Sequence, residues 1–181
     1  GGGVDVLTAL HHGTEHVDTV ELSPIVADVG LNALADWNGG LFHRDDVTLY
    51  VDEGRPFVRR TEQRYDLLQI SLIDTWAASA SGVYSLAAGY LYTVEAFRDY
   101  LERLTDDGVL AITRWIMVPP RESLRVVTVA MAALEELGVE DPAAHIAVLV
   151  LEPHLGCVIV GRNPLTQEKL VALAEVAQAR N

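Results

Sequence analysis

The fold is decided by the stretch His16-Val17-Asp18-Thr19-Val20-Glu21-Leu22-Ser23-Pro24. Its β-branched residues predict a strand, and an acidic residue, Glu21, stands near the strand's end. Pro24 suits the first position of a helix, and Ser23 before it suits the N-cap. The stretch therefore predicts a strand that leads directly into a helix, the unit from which α/β sheets are built.

The same alternation continues along the chain. Further strands are predicted at 46–51, 66–72, 109–113, 145–151 and 157–160, with helices at 24–37, 93–104, 122–137 and 166–179 and a short one from Gly54. The last two strands must pair antiparallel, because a parallel crossover needs about a dozen residues and their connection is much shorter. We predict an α/β fold, a doubly wound, mostly parallel Rossmann-like sheet with a C-terminal antiparallel hairpin. Such a sheet binds ligands at the carboxyl ends of its strands.

The beginning of the chain carries a second signal. Gly1-Gly2-Gly3 leads into a predicted helix, Val4 to His12, that Gly13 stops. A glycine-rich turn of this kind normally follows a strand, and here that strand is missing. We therefore expect residues 1–181 to form a single domain that is a fragment of a longer protein; a cloning remnant is the alternative.

Composition excludes several classes of function. Thirteen basic against 26 acidic residues give a formal net charge of −13, which argues against a nucleic-acid surface. The one cysteine, Cys157, excludes an intrachain disulfide and a multi-cysteine metal site. No apolar run approaches the roughly 20 residues of a membrane span. We expect a soluble cytoplasmic domain with no bound metal, no nucleic-acid partner and no membrane contact by this segment.

Acidic residues follow three of the predicted strands. The spacing between the glycine turn and Glu21 is close to the roughly 20 residues that separate such a turn from the acid that binds the ribose hydroxyls of a nucleotide. The alternative is that Glu21 is a solvated carboxylate. In Asp52-Glu53-Gly54 an acid can accept from an adenine amino group, or simply cap the next helix. Asp74 can pair with a substrate ammonium group, although a helix cap is a close alternative.

Other polar and aromatic residues are weaker candidates. Arg114 follows the predicted strand 109–113, where it could contact an acidic substrate or the carboxylate of the ligand itself. His11, His12 and His16 share a segment, but metal-ligand geometry is not secured by their spacing. A group of aromatic residues could line a pocket, although core packing is the commoner role: Trp76, Tyr84, Tyr90, Tyr92 and Trp115.

Four motifs stand in the order of a known family: Gly1-Gly2-Gly3, Val20-Glu21-Leu22-Ser23-Pro24, Val51-Asp52-Glu53-Gly54-Arg55-Pro56-Phe57, and Tyr65-Asp66 followed by Asp74. In these the chain resembles the spermidine synthase family of polyamine aminopropyltransferases over residues 1 to about 115. The resemblance implies a class I methyltransferase-like fold. It also implies that S-adenosylmethionine or its decarboxylated form binds as co-substrate.

The resemblance assigns roles to individual residues. Ligand binding falls to Gly1, Gly2, Gly3, Glu21, Leu22, Glu53 and Gly54. Glu21 would bind the ribose, Leu22 would pack on the adenine, and Glu53 replaces the adenine-contacting Asp of the family. The catalytic positions are Asp74 and Ser71. Ser71 stands where the family has the Asp that acts as the catalytic base. The family's Asp within the glycine motif is also missing, since Gly3 or Val4 occupies that position.

Three functional hypotheses follow from this pattern. The first is transfer of an aminopropyl group to an amine, with Asp74 holding or activating the amine. The second is an S-adenosylmethionine-dependent methyltransferase, which needs less of an amine-activating loop. The third is a catalytically impaired nucleoside-binding domain, because a serine at position 71 cannot act unaided as the base near neutral pH. In each case we expect a small-molecule nucleoside partner and a homodimer.

Overall fold

A computed structural model describes residues 2–73, 90–116, 119–151 and 155–180. The chain divides into two compact units, Gly1–Thr61 and Glu62–Asn181, called unit 1 and unit 2 below. Both combine helices with parallel strand pairs, which confirms the predicted α/β class.

Unit 1 contains two strands and three α-helices. In chain order they are α1 (Val4–His11), β1 (Val17–Glu21), α2 (Pro24–Asp28), β2 (Val47–Val51) and α3 (Gly54–Arg60). The two strands pair in parallel, with Val17 opposite Val47 and Glu21 opposite Val51. Their carboxyl ends are therefore level with each other.

The core of unit 1 is small. Val6, Leu41 and Val47 are buried in it, and Leu10, Val17 and Phe42 pack against them. Because α1 contributes Val6 and Leu10 to this cluster, the helix predicted from the first residues forms as expected and packs beside β1.

The helix after Pro24 is shorter than predicted. The side chain of Ser23 accepts a hydrogen bond from Val26 N, as the N-cap assignment requires, but α2 ends at Asp28 and Val29–Ala33 forms a π-helical turn. Tertiary contacts explain the change. The Asn38 side chain donates to Gly30 O at 2.7 Å, and a Cβ at Gly30 would lie 3.0 Å from the Phe42 ring. These tertiary contacts at Gly30 favour the π-helical turn over a continued α-helix.

The described residues of unit 2 form four strands and three α-helices. In chain order they are β3 (Tyr65–Ser71), α4 (Val94–Glu102), β4 (Leu104–Trp115), α5 (Arg121–Glu136), β5 (Ile146–Leu151), β6 (Leu155–Gly161) and α6 (Gln167–Arg180). The sheet order is β3-β4-β6-β5. β3 and β4 are parallel, whereas β6 runs antiparallel to both β4 and β5, which confirms the predicted hairpin.

The core of unit 2 is the larger one. Its fully buried large side chains are Phe97, Leu101, Leu104, Leu110, Ile112, Leu134, Val158 and Val160. Helix α5 covers the sheet with a buried face that begins at Ser123 and continues through Val126, Ala130, Ala133 and Leu134. Ser123 is thus a polar residue at the head of an otherwise apolar face.

Two strands of unit 2 differ from their predictions. The apolar sequence of β3 is typical of a central strand, but β3 lies at the edge of the four-stranded sheet and leaves Leu67 half exposed. β4 begins at Leu104 rather than after Gly108, with a register shift opposite Tyr65 and Leu67. Gly108 permits this irregularity, since a Cβ there would lie 2.7 Å from Tyr65 O.

Candidate functional site

The carboxyl ends of β1 and β2 bring together the acidic residues predicted for unit 1. Glu21 is the register partner of Val51, and Asp52 N donates to Glu21 O at 3.1 Å. The parallel pairing therefore sets the segment after Glu21 beside the segment after Val51. Two of the predicted ligand-binding segments are neighbours for this reason.

The Glu21 carboxylate is held by the backbone that follows it. Ser23 N donates to Glu21 Oε1 at 2.9 Å, which orients the side chain at the end of β1. Burial acts to raise the pKa of the Glu21 carboxyl, whereas hydrogen bonds from the N–H groups of Ser23 and Leu22 act to lower it. Glu21 is therefore ionised at neutral pH and can accept hydrogen bonds from hydroxyl groups.

Asp52 and Glu53 have different environments. Asp52 Oδ1 accepts from Glu53 N at 2.8 Å, and its other oxygen accepts from Arg60, so Asp52 stabilises the turn into α3. Glu53 is the N-cap residue of α3, yet its side chain makes no capping hydrogen bond and is exposed. Gly54 follows it, and a Cβ added at Gly54 would meet no atom within 4 Å. Of the two acids, Glu53 is the more exposed.

The glycine motif has a structural role that the backbone makes explicit. Gly3 is the N-cap of α1 with φ +83°, and a Cβ there would lie 2.7 Å from Leu41 Cδ2. Gly2 is exposed and has no such contact, and Leu22, on the edge after β1, is also exposed. Gly1 lies outside the described residues.

The end of β3 carries the first of the predicted catalytic residues. Ser71 pairs with Thr113 of β4, and its hydroxyl accepts a hydrogen bond from Gln69 Nε2 at 2.8 Å. Leu72 follows with φ +44°, a conformation that non-glycine residues rarely adopt and that clusters at functional sites. Asp74 lies outside the described residues.

Arg114 lies next to this edge, one residue after Thr113. Its Nη2 donates to a carboxylate oxygen of Glu122 in the first turn of α5. The guanidinium carbon is 4.6 Å from the centroid of the Tyr92 ring, within cation–π range. The side chain is thus held by one residue before α4 and another at the start of α5.

Two buried hydroxyls belong to Tyr92, whose ring contacts Arg114, and to Ser123, which follows Glu122 in the chain. Tyr92 Oη and Ser123 Oγ have no hydrogen-bond partner among the described residues. Burial raises the pKa of the Tyr92 hydroxyl, and the neighbouring Tyr100 and Glu122 raise it further, so the group stays protonated. Sequence reasoning missed Ser123, because a serine inside an amphipathic helix is ordinary until its burial is known.

His145 and Cys157, two residues with reactive side chains, lie in structural environments. His145 is buried, and its Nδ1 is 3.1 Å from Gly161 O, so it fastens the start of β5 to the end of β6. Cys157 pairs with Thr113 in the sheet, and burial raises the pKa of its thiol. Across 2–73, 90–116, 119–151 and 155–180, no group of three His, Cys, Asp or Glu residues is arranged to hold a metal ion. No helix in those same ranges is long and apolar enough to cross a membrane.

Comparison with known proteins gives relatives named polyamine aminopropyltransferase. No family model matches the chain. The polyamine aminopropyltransferase 2 of Hyperthermus butylicus is 29% identical over 99 residues, which are 54% of this chain and 30% of that protein. The polyamine aminopropyltransferase of Sulfurisphaera tokodaii is 28% identical over 111 residues, 61% of this chain and 34% of that protein. The matched region thus spans about a third of each relative's length.

Solved structures have the same fold. The structural match to a spermidine synthase in complex with the transition state analogue AdoDATO covers 99% of this chain and 62% of the synthase chain. Its TM-score is 0.61 and the sequence identity is 16%. The human methyltransferase-like protein 13 in complex with SAH matches 99% of this chain and 78% of its own, with a TM-score of 0.61 and 14% identity. The chain resembles the spermidine synthase family. The predicted class I methyltransferase-like fold is confirmed as well.

Most of the residues on which the resemblance to the spermidine synthase family rests lie in unit 1. Glu21, Leu22, Glu53 and Gly54 all stand at the carboxyl ends of one parallel strand pair. In unit 2 the corresponding strand end carries Ser71 instead of an acid. The roles of these residues toward a ligand stay predictions.

Proposed function

We propose that this chain is the S-adenosyl-ligand-binding part of a transferase of the spermidine synthase type. The observation that carries the proposal is the register of β1 and β2, in which Glu21 stands opposite Val51. That register makes neighbours of Glu21 and the turn at Glu53, to which the resemblance assigns the ribose and the adenine. The relatives named polyamine aminopropyltransferase support the same ligand class.

Each residue of unit 1 has a defined part in this proposal. The ionised Glu21 carboxylate, oriented by Ser23 N, accepts hydrogen bonds from both ribose hydroxyls. The exposed Glu53 side chain accepts from the adenine amino group, while Gly54 offers its backbone and Leu22 packs on the adenine ring. Gly1, Gly2 and Gly3 give the ligand close access to the backbone at the start of α1.

The transferred group is aminopropyl, and the acceptor is an amine. The amine nitrogen attacks the carbon bonded to the sulfonium, the carbon–sulfur bond breaks, and the neutral thioether leaves with that electron pair. Positioning of the two reactants supplies much of the rate. By the resemblance, Asp74 holds or activates the amine. Ser71 ends β3 and accepts a hydrogen bond from Gln69, and its hydroxyl does not act as a base near neutral pH.

Methyl transfer from S-adenosylmethionine is the second candidate. It is favoured by Ser71, whose alcohol at the position of the family's base weakens the case for amine activation. A Ser71→Asp variant separates the two. Gain of aminopropyl transfer, measured with decarboxylated S-adenosylmethionine and putrescine, supports the first candidate; the absence of any gain supports methyl transfer or a catalytically impaired nucleoside-binding domain.

Calorimetric titration with methylthioadenosine tests ligand binding directly. We expect Glu21→Ala to weaken binding by about 10- to 100-fold, because it removes charge-assisted hydrogen bonds to the ribose. Glu15→Ala, which removes an exposed acid just before β1, is the matched control and should bind as the wild type does. Failure of the folded wild type to bind methylthioadenosine and both forms of S-adenosylmethionine would refute the proposal.

The assembly state and the location in the cell are separate predictions. A homodimer in the cytoplasm remains our expectation for this chain. Light scattering after size-exclusion chromatography measures the oligomer, and a monomeric mass at micromolar concentration would contradict it.

A further inference from the structure

A polar cluster at the carboxyl end of β4 has no part in the function proposed above. Arg114 is its centre, and only 14% of this side chain is exposed. The Tyr92 ring covers the guanidinium, and Glu122 accepts from Nη2. Three separate elements therefore fix the position of one cation.

Ser123 belongs to the same cluster. Arg114 of β4 pairs with Gly156 of β6, and a Cβ at Gly156 would lie 3.5 Å from Ser123 Oγ. Glu122, the partner of Arg114, is the residue immediately before Ser123. The serine hydroxyl therefore lies beside the strand pair that carries Arg114.

The two hydroxyls of the cluster are buried without a protein partner. Tyr92 is 6% exposed and Ser123 is 7% exposed, and neither hydroxyl has a hydrogen-bond partner within the described ranges. Native proteins pair nearly all buried polar groups, so two unpaired hydroxyls near one arginine require an explanation. A bound ligand that accepts hydrogen bonds would satisfy both.

The cluster also lies at the edge where the resemblance sets the catalytic residues. Ser71 is the register partner of Thr113, the residue before Arg114. Leu72 N donates to Thr113 O at 3.2 Å, so the strained residue after Ser71 is attached to the same strand. A group bound by the cluster would belong to a molecule that reaches the end of β3.

We propose that Tyr92, Arg114 and Ser123 bind a carboxylate group of a substrate. The inference rests on the proposed function, because the carboxylate then belongs to the S-adenosyl ligand or to the amine acceptor. Two hydroxyl donors and a guanidinium match the oxygens of a carboxylate. Glu122 balances the charge of Arg114, which favours a singly charged group over a phosphate.

Two pairs of small molecules provide the test, because the members of each pair differ only by a carboxylate. S-adenosylmethionine and its decarboxylated form make the first pair, and ornithine and putrescine make the second. Binding is measured by calorimetry on the full chain, and the acceptor pair is titrated in the presence of methylthioadenosine. The wild type should bind the carboxylated member of one pair about 10- to 100-fold more tightly than the other member. The pair that shows the preference identifies the molecule that carries the carboxylate.

Arg114→Gln should reduce that preference to less than about threefold. Arg98→Gln is the matched control, since Arg98 pairs with Glu136 at the opposite end of α5. The control should keep the wild-type preference. Equal binding within both pairs by the wild type, or a preference that survives Arg114→Gln, would overturn the proposal.

Tyr92→Phe and Ser123→Ala remove one hydroxyl each and test the proposal independently of Arg114. Each substitution should lower the affinity for the carboxylated ligand by about 3- to 10-fold and leave the affinity for its decarboxylated counterpart unchanged. The melting temperature of the ligand-free protein should stay the same or rise, because an unpaired buried hydroxyl is removed. A lower melting temperature with unchanged binding would show a structural role and refute the site.

Methylthioadenosine, which has no carboxylate, separates the two proposals. If it binds while neither pair shows a preference, the carboxylate site is wrong and the proposed function stands. If it fails to bind, together with all four other compounds, both proposals fall.

Discussion

The strand ends of unit 1 and unit 2 differ in how their polar groups are satisfied. At the end of β1, Glu21 accepts from Ser23 N, a partner two residues away. At the end of β4, Arg114 contacts residues before α4 and at the start of α5, and two nearby hydroxyls have no partner in the described part of unit 2. The first arrangement is oriented by a partner within the protein. The second is complete only with a further molecule, by our inference.

The hydrophobic cores of the two units also differ, in the number of side chains that they bury. Unit 1 buries three residues in its hydrophobic cluster, whereas the described part of unit 2 buries eight large side chains fully. A small cluster can adjust around a lost side chain more easily than a large and closely packed one. Unit 2 is therefore expected to be the more sensitive of the two to core truncation.

Matched leucine truncations give the largest expected effect. Leu101→Ala should destabilise unit 2 by about 3–4 kcal/mol, and Leu41→Ala should destabilise unit 1 by about 2–3 kcal/mol. Leu101 is 1% exposed and Leu41 is 5% exposed, so both are core residues. Hydrogen–deuterium exchange of peptides from each unit measures the two losses separately. A larger loss for Leu41→Ala would reverse the comparison.

A glycine substitution is expected to have an intermediate effect confined to unit 1. Gly3→Ala should cost about 2 kcal/mol, because φ is +83° and the new Cβ would meet Leu41. Gly2→Ala is the control and should change stability by less than about 0.5 kcal/mol. Urea denaturation measures both variants. Equal stability of the two would show that the glycine motif is needed only for ligand contact.

The exposed ion pair of unit 1 should contribute least. Arg60→Gln removes the partner of Asp52, but the Arg60 side chain is 61% exposed, so the loss should stay below about 1 kcal/mol. Affinity for methylthioadenosine should change by less than about twofold, since Asp52 has no part in binding the nucleoside. A loss of binding in calorimetry would place Asp52 rather than Glu53 against the adenine.

Elements with local signals were predicted well. Thr93 accepts from Ala96 N at 3.2 Å as the N-cap of α4, and Gly138, with φ +83°, follows the end of α5. Caps and left-handed glycines act within one turn, so the sequence around them is sufficient. Errors arose where distant residues intervene, as at Gly30, which packs on Phe42, and at Gly108, which approaches Tyr65.

The α/β class, the antiparallel hairpin and the family resemblance could be predicted from the sequence, because periodicity, caps and motifs are local properties. The sequence also indicated Glu21 and Glu53, whose positions depend on the strand that precedes each of them. Only the tertiary structure decided that Tyr92 and Ser123 share the surroundings of Arg114. Their contacts join a segment before one helix, a strand and the start of another helix. A local sequence pattern does not predict which buried hydroxyl is left without a hydrogen-bond partner when such elements pack together.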